Sequence, residues 1–307
     1  MNVQCNLTAV VVTFNRRPLL ELCLLALANQ TRKPDRVLIV DNASTDETRD
    51  WLQSWLPHHL PEGEVLALEV NSGGAGGFAA GMKAAVAGGA DWIWMMDDDA
   101  EPETKALSIL LDAVVTDEAI YGSIATHNGI ELCWPLFGTD GEEVAGVRDT
   151  SRVTSVVALP FLGILVSRRV IETIGYPNAD YFLAGDDTEY CFRARGCGIP
   201  VMAVGGSVLR HPTSHYYRFG VGRFAPVCFR MPPWKRYYDV RNRLLTSAGE
   251  GLGPMVLKTL PATMLRLLAT LLHEPQRLQQ TKAYLAGVID GLRGMKGKRH
   301  PRWRLDA

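Results

Sequence analysis

Residues 7–13 read Leu-Thr-Ala-Val-Val-Val-Thr, a short apolar run rich in β-branched side chains. The run does not alternate with polar residues, which is typical of a strand buried on both faces of a parallel sheet. Apolar residues then recur at helical spacing from Leu19 to Leu27, so we expect a helix after the strand. The same order continues, with helices separating strands at 36–40, near 65–70 and at 92–96. This alternation predicts an α/β fold with a doubly wound, mostly parallel sheet and helices on both faces.

Polar segments follow every predicted strand of this sheet. They are residues 13–16, 41–44, 71–77 and 97–99. The carboxyl ends of parallel strands lie along one edge of a sheet, where doubly wound proteins bind their ligands. We therefore expect these segments to converge on one crevice, and they supply the first candidate functional residues.

The composition is that of an ordinary globular protein, with 307 residues, 47% of them hydrophobic and 21% charged. Such a chain buries enough apolar surface to fold without disulfides or metal ions. Its six cysteines form no C-x-x-C pair, which disfavours a zinc site or a disulfide framework and indicates a reducing, cytosolic compartment. No run of about 18 uncharged apolar residues is present, so neither a membrane span nor export is expected.

Charge is distributed unevenly along the chain. Residues 1–209 carry 14 Lys and Arg against 28 Asp and Glu, whereas residues 210–307 carry 18 against 5. We expect two parts, an α/β domain over residues 1–215 and a helical, basic C-terminal region over 216–307. The basic region predicts an anionic partner. Aromatic residues among its arginines would suit single-stranded nucleic acid, but the acidic body and the lack of an RNA-binding motif in the sequence argue against that partner.

Two features of the basic region favour an anionic membrane surface. Apolar residues form a stripe between Met264 and Leu272, and basic residues cluster between Arg293 and Arg304 around Trp303. Near an anionic leaflet each basic residue contributes about 1 kcal/mol, which suffices for reversible, peripheral binding. The alternative is that the stripe packs against the rest of the protein and the terminal residues form a solvated tail.

Asp97, Asp98 and Asp99 follow the apolar strand at 92–96. Adjacent carboxylates repel one another unless a cation neutralises them, and a hard divalent ion with oxygen ligands would do so. The alternative is that one acid caps the next helix and the others are solvated. Because a cap needs only one acid, three of them favour a metal site. His211 follows a later predicted strand, but a lone histidine is more often a structural hydrogen-bonding residue.

The glycine-rich segment 71–77 allows three interpretations. Gly74, Gly76 and Ala79 formally match the dinucleotide fingerprint G-x-G-x-x-G/A of oxidoreductases, although that motif ordinarily follows the first strand of its unit. The segment could instead be a flexible surface loop. We favour the third interpretation, in which the glycines let the backbone approach a phosphate or ribose beside the positive end of the next helix.

Asp186 and Asp187 precede a helix that we expect from Thr188 to Arg195. One of the two acids would cap that helix. The other remains available, and an aspartate that faces a crevice is a suitable general base for deprotonating a sugar hydroxyl. No G-x-S-x-G motif supports a serine nucleophile.

Five segments together resemble the inverting, GT-A fold glycosyltransferases of family 2 in their order and rough spacing. They are Thr13-Phe14-Asn15-Arg16, Val40 to Asp46, Asn71 to Phe78, Met96 to Asp99 and Gly185 to Tyr190. The resemblance covers residues 7 to about 215 and implies a Rossmann-like GT-A fold. The glycine segment and the triple aspartate look most like bacterial galactofuranosyltransferases, with rhamnosyltransferases of O-antigen and capsule assembly next.

The resemblance also implies roles for the candidate residues. The implied nucleobase pocket is lined by Thr13, Asn15, Arg16 and Asp41, and ribose and diphosphate are contacted by Asn71, Gly73, Gly74, Gly76 and Gly77. The implied ligands of Mn²⁺ or Mg²⁺ are Asp97, Asp99 and His211, with Asp98 nearer the sugar or ribose. Asp187 matches the catalytic base, and Asp186 matches its neighbour on the acceptor side. Tyr237-Tyr238-x-x-Arg241-Asn242 resembles a segment that follows the catalytic domain in these enzymes, without an implied role.

The implied activity is metal-dependent, inverting transfer of galactofuranose from UDP-galactofuranose in bacterial surface polysaccharide synthesis. The acceptor would be a glycan or a polyprenyl-linked glycan, and the enzyme would be cytoplasmic and peripheral on the inner face of the cytoplasmic membrane. Three alternatives stay open: dTDP-rhamnose as the donor, an NAD(P)-dependent oxidoreductase, and a noncatalytic nucleotide-sugar-binding subunit. The presence of Asp97, Asp99 and Asp187 argues against the last.

Overall fold

The computed structural model describes residues 6–127, 131–144, 153–220 and 225–305. The chain forms two compact units. Unit 1 comprises Met1–Ser72, Gly76–Asn178 and Asp187–Thr213, and unit 2 comprises Gly73–Ala75, Ala179–Asp186 and Ser214–Ala307. The C-terminal region is therefore grouped with two short segments from the body of the chain.

A mixed β-sheet forms the centre of unit 1. Its described strands are β1 (Leu7–Thr13), β2 (Arg36–Asp41), β3 (Gly63–Ala67), β4 (Trp92–Asp97), β5 (Glu101–Pro102), β6 (Ile120–His127), β7 (Glu131–Leu132), β8 (Val153–Ser155), β9 (Ile164–Ser167) and β10 (Val201–Arg210). The order across the sheet is β3-β2-β1-β4-β9-β6-β10-β5. The neighbours from β3 to β4 are parallel, as are β6 and β10, whereas β9 is antiparallel to β4 and β6.

Helices cover both faces of this sheet. They are α1 (Arg17–Ala28), α2 (Thr48–His59), α3 (Gly73–Ala87), α4 (Ala106–Asp112), α5 (Arg168–Ile174) and α6 (Asp186–Gly196). Successive residues of β1 point to opposite faces, so Val11 packs in one apolar layer with α1, α2 and α4, and Val12 packs in the other with α3, α5 and α6. Burial of both faces explains the unbroken apolar run of β1. The predicted α/β fold with helices on both faces of the sheet is confirmed, and the sheet is mixed, with parallel pairing from β3 to β4 and between β6 and β10.

The boundaries of two helices differ from the prediction. The glycine-rich run from Gly73 lies inside α3 rather than in a loop before it, and α6 begins at Asp186 rather than at Thr188. Close packing explains the glycines in part. A Cβ on Gly77 would lie 2.5 Å from Val12 Cγ1, and one on Gly81 would lie 2.5 Å from Val10 Cγ1, so these glycines let α3 lie directly on β1.

Unit 2 is mainly helical. Its described elements in the C-terminal region are β11 (Tyr216–Arg218), β12 (Val227–Phe229), α7 (Pro233–Glu250), α8 (Leu252–Pro254), a π-helical turn (Met255–Thr259), α9 (Leu260–His273), α10 (Arg277–Leu292) and a 3₁₀ turn (His300–Trp303). Phe182, Tyr237, Tyr238 and Leu305 are buried together in its core.

The C-terminal segment that carries the basic residues is held in unit 2 by several side-chain contacts, while Lys296, Lys298, Arg302 and Arg304 are exposed. Nε of Arg299 and Nε1 of Trp303 each donate a hydrogen bond to Asp290 Oδ2 at 2.9 Å. The hydroxyl of Tyr238 lies 2.8 Å from Nδ1 of His300, and Leu305 is buried. The segment is therefore anchored at Arg299, His300 and Leu305, whereas most of its basic side chains are solvated, as the tail alternative expected.

The helical stretch Leu252–His273 is long and apolar enough to cross a membrane by length and composition alone, with a mean hydropathy of 1.4 over its best window. It is the one such helix in the part of the chain that the structure describes, and it is weak evidence for a span. Arg266 is the charged residue within α9, and its Nε donates to the carbonyl of Val227 at 3.1 Å. Met264, Leu268 and Leu272 are exposed, whereas Leu265, Leu267 and Leu271 are half-buried.

Candidate active site

The loop after β1 is joined to the loop after β2 by the side chain of Asn15. Oδ1 of Asn15 accepts a hydrogen bond from Thr45 N at 2.7 Å, and its Nδ2 donates to Thr45 Oγ1 at 3.1 Å. The backbone N–H of Asn15 donates to Ser44 Oγ at 3.0 Å. The φ of Asn15 is 53°, a left-handed conformation that asparagine adopts more readily than most residues. Two of the predicted segments therefore converge at one edge of the sheet.

Asp41 is the last residue of β2 and is fully buried. Its Oδ1 accepts a hydrogen bond from Ser44 N at 3.0 Å, and its Oδ2 accepts two from Arg49, from Nε at 3.0 Å and Nη2 at 2.8 Å. This ion pair compensates a charge that would otherwise be costly to bury. The carboxylate of Asp41 therefore fixes the loop that follows β2.

The segment after β3 is tied to the same edge by Asn42. Oδ1 of Asn42 accepts hydrogen bonds from N and Oγ of Ser72 at 2.9 and 3.1 Å. Ser72 follows Asn71, which is half-buried in unit 1. The sequence does not identify Asn42 or Arg49 as site residues, because the partner of Asn42 lies in another loop and Arg49 reaches Asp41 from α2.

Asp98 connects the end of β4 with the end of β1. Its Oδ2 accepts a hydrogen bond from Thr13 Oγ1 at 2.7 Å, and its Oδ1 accepts one from Arg16 Nη1 at 3.3 Å. Burial raises the pKa of Asp98 to about 6, against the opposing effects of Arg16 and Thr13. The structure thus brings together three of the predicted nucleotide-binding residues.

Asp99 lies between two cationic side chains. Its Oδ2 accepts a hydrogen bond from Arg16 Nη1 at 2.9 Å, and its Oδ1 is 3.2 Å from His211 Nε2. Nδ1 of His211 lies 2.6 Å from the carbonyl oxygen of Pro212, so Nδ1 carries a proton and donates it. The imidazole ring also packs against Trp134, with 4.8 Å between ring centroids. The predicted pairing of the acidic segment with His211 is therefore present.

The Asp99–His211 contact shifts both pKa values toward the charged forms. Burial disfavours the imidazolium of His211, but the contact with Asp99 outweighs it and raises the pKa to about 10. Burial also opposes the Asp99 carboxylate, but His211 and Arg16 hold its pKa below the usual value. Protein cations thus compensate Asp98 and Asp99, so the repulsion expected from the sequence does not by itself require a metal ion.

The donor atoms at Asp99 and His211 suit a divalent ion that also binds oxygens from outside the protein. Oδ1 of Asp99 is buried and has no hydrogen bond of good geometry among the described residues. In the same part of the chain, no group of three or more His, Cys, Asp or Glu side chains is arranged to hold a metal. Asp97 is half-buried at the end of β4. Mn²⁺ and Mg²⁺ commonly take only one or two protein carboxylates and complete their shell with phosphate oxygens and water.

The four predicted glycines at the start of α3 have different surroundings. Gly73 has a φ of 73°, and a Cβ there would lie 1.9 Å from Phe182 O. A Cβ on Gly76 would lie 2.4 Å from Ser72 Oγ, and Gly77 packs on Val12 as described above. At Gly74, a Cβ would meet only Leu183 Cδ1 at 4.0 Å, an ordinary contact. Packing among the described residues therefore explains three of these glycines and leaves Gly74 without a steric requirement.

Asp186 and Asp187 open α6, and they differ in exposure. Asp186, which belongs to unit 2, is buried, whereas Asp187, which belongs to unit 1, is half-buried. Oδ1 of Asp187 accepts hydrogen bonds from N and Oγ1 of Thr188 at 2.6 and 3.2 Å. Tyr190 and Cys191 anchor the next turn in the apolar core of unit 1. The helix that carries the predicted base is therefore packed into the core of unit 1.

Comparison with known proteins identifies the family. The family model described as glycosyl transferase family 2 matches residues 8–139. Galactofuranosyltransferase GlfT1 of Mycolicibacterium smegmatis (strain ATCC 700084 / mc(2)155) is 33% identical over 276 residues, which are 84% of this chain and 87% of that protein. The chain belongs to glycosyltransferase family 2. The dTDP-rhamnosyl transferase RfbF of Shigella flexneri is 25% identical to this glycosyltransferase and spans 95% of this chain and 97% of its own length.

The fold of this family 2 glycosyltransferase is also found among solved structures. The mannosyltransferase PcManGT from Pyrobaculum calidifontis, solved in complex with GDP-Man and Mn²⁺, matches with a TM-score of 0.58 at 15% identity. The match covers 94% of this chain and 87% of that one. The mixed sheet with its helical layers is thus GT-A-like, as the sequence predicted. The family also removes the oxidoreductase alternative, whose fingerprint glycines follow β3 rather than the first strand.

The Asp99–His211 pair should give the protein a measurable pH-dependent stability when divalent ions are chelated. A raised folded-state pKa of His211 stabilises the protein fully below its unfolded value near 6.5, and this contribution declines until pH passes about 10. We expect His211→Gln to lower stability by about 2 kcal/mol at pH 6 and to have little effect at pH 10. Thermal unfolding of both proteins in EDTA measures the difference. An equal destabilisation at both pH values would contradict the charged pair.

Proposed function

We propose that this protein is a metal-dependent, inverting galactofuranosyltransferase of bacterial surface polysaccharide synthesis that uses UDP-galactofuranose. The observation that carries the metal-dependent transfer is the pairing of Asp99, after β4, with His211, after β10. The choice of sugar is supported by the 33% identity to a galactofuranosyltransferase over 84% of the chain. The RfbF relative supports a second candidate, a rhamnosyltransferase that uses dTDP-rhamnose.

The proposed metal site consists of Asp99 and His211, with Asp97 as a further carboxylate from the end of β4. The buried Oδ1 of Asp99 and Nε2 of His211 already lie 3.2 Å apart, and Pro212 holds the imidazole in the tautomer that leaves Nε2 free to act as a ligand once it is deprotonated. Mn²⁺ or Mg²⁺ held there would act as a Lewis acid toward the departing diphosphate. Mn²⁺ in the PcManGT complex supports this choice of cofactor.

The proposed nucleotide site is the sheet edge formed by the loops after β1, β2 and β3. Thr13 and Arg16 bind Asp98 and thereby join the β1 loop to the acidic segment. Asn15, Asp41 and Asn71 belong to the loops that Ser44 and Asn42 hold together. Gly73, Gly74, Gly76 and Gly77 bring the backbone N–H groups of α3 to ribose and diphosphate, and a site at Gly74 would use the space that the missing Cβ leaves.

Asp187 is the proposed general base. It is half-buried and therefore open to a substrate, whereas Asp186 is buried and is proposed to shape the acceptor side. Thr188 donates two hydrogen bonds to Oδ1 of Asp187, which orient the carboxylate that would receive the acceptor proton. The deprotonated acceptor oxygen would displace the nucleoside diphosphate in one step, which inverts the anomeric centre.

An anionic membrane surface is the proposed partner of unit 2. The enzyme would bind peripherally to the cytoplasmic face of this membrane, which would hold the polyprenyl-linked glycan acceptor. Met264, Leu268 and Leu272 repeat every four residues on α9 and are 73%, 48% and 56% exposed. Exposed cations include Arg293, Lys298 and Arg302. An apolar stripe accompanied by basic side chains is the composition of an interfacial helix.

Metal dependence can be tested with a donor panel. We expect release of UDP from UDP-galactofuranose in the presence of an acceptor glycan and Mn²⁺, and its loss in EDTA. Asp99→Ala and His211→Ala should weaken UDP binding in Mn²⁺ at least tenfold, about 1.4 kcal/mol. The control is Asp112→Ala, which removes an exposed carboxylate at the end of α4. Full activity in EDTA would reject the metal site, and turnover of dTDP-rhamnose alone would favour the second candidate.

The assignment of the base can be tested by Asp187→Asn. The amide preserves the size of the side chain but cannot accept the acceptor proton, so we expect transfer to fall by about 10² or more. UDP affinity should stay within about threefold of the unchanged protein, because binding of the nucleotide does not need the base. Transfer kinetics and calorimetric titration with UDP give the two values. An inactive Asp186→Asn beside a near-normal Asp187→Asn would reverse the assignment within the pair.

Membrane binding can be tested by flotation with vesicles that contain or lack phosphatidylglycerol. Replacement of Met264, Leu268 and Leu272 by Gln together should abolish most of the binding to anionic vesicles, because the apolar contact is lost while all cations remain. Val115→Gln is the control, since Val115 is an apolar side chain of unit 1 with 89% exposure. Unchanged flotation of the triple variant would reject the stripe as the contact. Failure of the wild-type protein to float would reject membrane binding.

A further inference from the structure

The segment that leads into Asp186 and Asp187 has an unusual backbone. After the 3₁₀ turn Ala179–Tyr181, Phe182 and Ala184 have φ values of 64° and 66°, and Gly185 has a φ of 78°. Two residues with a Cβ in the left-handed region are costly, and such conformations persist only where the surroundings impose them. Residues 182–185 belong to no regular helix or strand, so their backbone carbonyls depend on partners elsewhere in the protein.

Asn242 on α7 supplies those partners. Its Nδ2 lies within hydrogen-bond distance of three carbonyl oxygens, those of Tyr181 at 3.1 Å, Leu183 at 2.8 Å and Ala184 at 2.7 Å. The side chain is 1% exposed, so these bonds form away from solvent. A Cβ built on Gly185 would lie 3.7 Å from Asn242 Cβ, which shows that the asparagine also packs against the last residue before the acids.

Arg241 fixes the orientation of this amide and binds the segment itself. Its Nε donates to Asn242 Oδ1 at 2.8 Å, which directs Nδ2 toward the three carbonyls. Its Nη2 donates to Tyr181 O at 2.7 Å, and Nη1 donates to Gly297 O at 2.6 Å. The guanidinium is fully buried and lies over the ring of Tyr238 at 4.8 Å from its centroid. The cation is therefore held by carbonyl dipoles and an aromatic face.

The same segment contacts the beginning of α3. The carbonyl of Phe182 accepts a hydrogen bond from Ala75 N at 3.2 Å, and this carbonyl occupies the position where a side chain at Gly73 would begin. Arg241 and Asn242 thus hold a segment that is hydrogen-bonded to the proposed diphosphate-binding turn through Phe182. The same segment leads directly into Asp187, the proposed base. Gly73–Ala75 and residues 179–186 belong to the same compact unit as α7.

We propose that Arg241 and Asn242 are positioning residues for the transfer reaction, which impose the left-handed path of residues 182–185 and thereby set the place of Asp187. This proposal rests on the proposed role of Asp187 as the base. It gives a function to the Tyr237-Tyr238-x-x-Arg241-Asn242 segment, to which the sequence assigned none. Neither side chain is required to touch the substrate.

The test compares Asn242→Ala and Arg241→Lys with Tyr284→Phe. Tyr284 is a buried residue of unit 2 whose hydroxyl bonds to Thr270 at 3.1 Å, so the control loses a buried hydrogen bond elsewhere. We expect both test variants to lower kcat 10- to 100-fold at saturating donor, with less than a threefold change in UDP affinity, and the control to keep its kcat. Hydrogen exchange of the amides at 183–187 should accelerate in the test variants alone.

A double-mutant cycle separates positioning from general damage. If Asn242 acts through Asp187, kcat of Asn242→Ala/Asp187→Asn should equal that of Asp187→Asn within about threefold, because the base is already absent. Independent, multiplicative losses would overturn the proposal, as would normal kcat in a folded Asn242→Ala or Arg241→Lys protein. If Asn242→Ala does not fold, Arg241→Lys, which keeps the charge, takes its place in the cycle. Near-normal turnover of Asp187→Asn would instead overturn the base assignment and the proposal together.

Discussion

Parallel pairing of β1 with β2 on one side and β4 on the other is the constraint on which the site depends. Thr13 stands beside Asp41, and Val12 stands beside Asp97. The three strands therefore end at one level, and the loops that follow them meet. A shift of one residue would turn the buried faces of β1 around, since side chains alternate along a strand. Val12 would then no longer pack against Gly77 of α3. The register that allows this packing is therefore the one that also aligns the strand ends at the candidate site.

Much of this arrangement could be predicted from the sequence because its signals are local. The apolar run at 7–13 and the acids that follow residues 92–96 define strand ends, and parallel topology brings such ends together. The insertion of β9 antiparallel between β4 and β6 has no comparable signal, because pairing partners are chosen by the whole sheet. The ion pair of Arg49 with Asp41 could not be predicted either, because it joins α2 to the end of β2 and depends on how the helix packs. His211 is a candidate site residue only through the family resemblance, since a lone histidine in the sequence is more often structural.

More charged side chains form buried or half-buried ion pairs than the sequence indicates. Arg16 and His211 compensate acids at the end of β4, and in unit 2 the fully buried Arg236 forms an ion pair with Glu274 at 2.9 Å. Such pairs offset the penalty for removing ions from water, and each partner alone would be costly to bury. Part of the positive charge of residues 210–307 therefore serves the interior of unit 2. Only the remaining exposed cations can attract an anionic partner.

The grouping of residues 179–186 with α7 bears on how relatives of this enzyme can exchange parts. A chimera that joins the C-terminal region of one family member to the body of another would bring together an α7 and a 179–186 segment from different parents. In such a chimera, Asn242 on α7 would come from one parent and the backbone carbonyls that it binds would come from the other. Functional recombinants should therefore inherit the two segments together, although the segments lie far apart in the sequence.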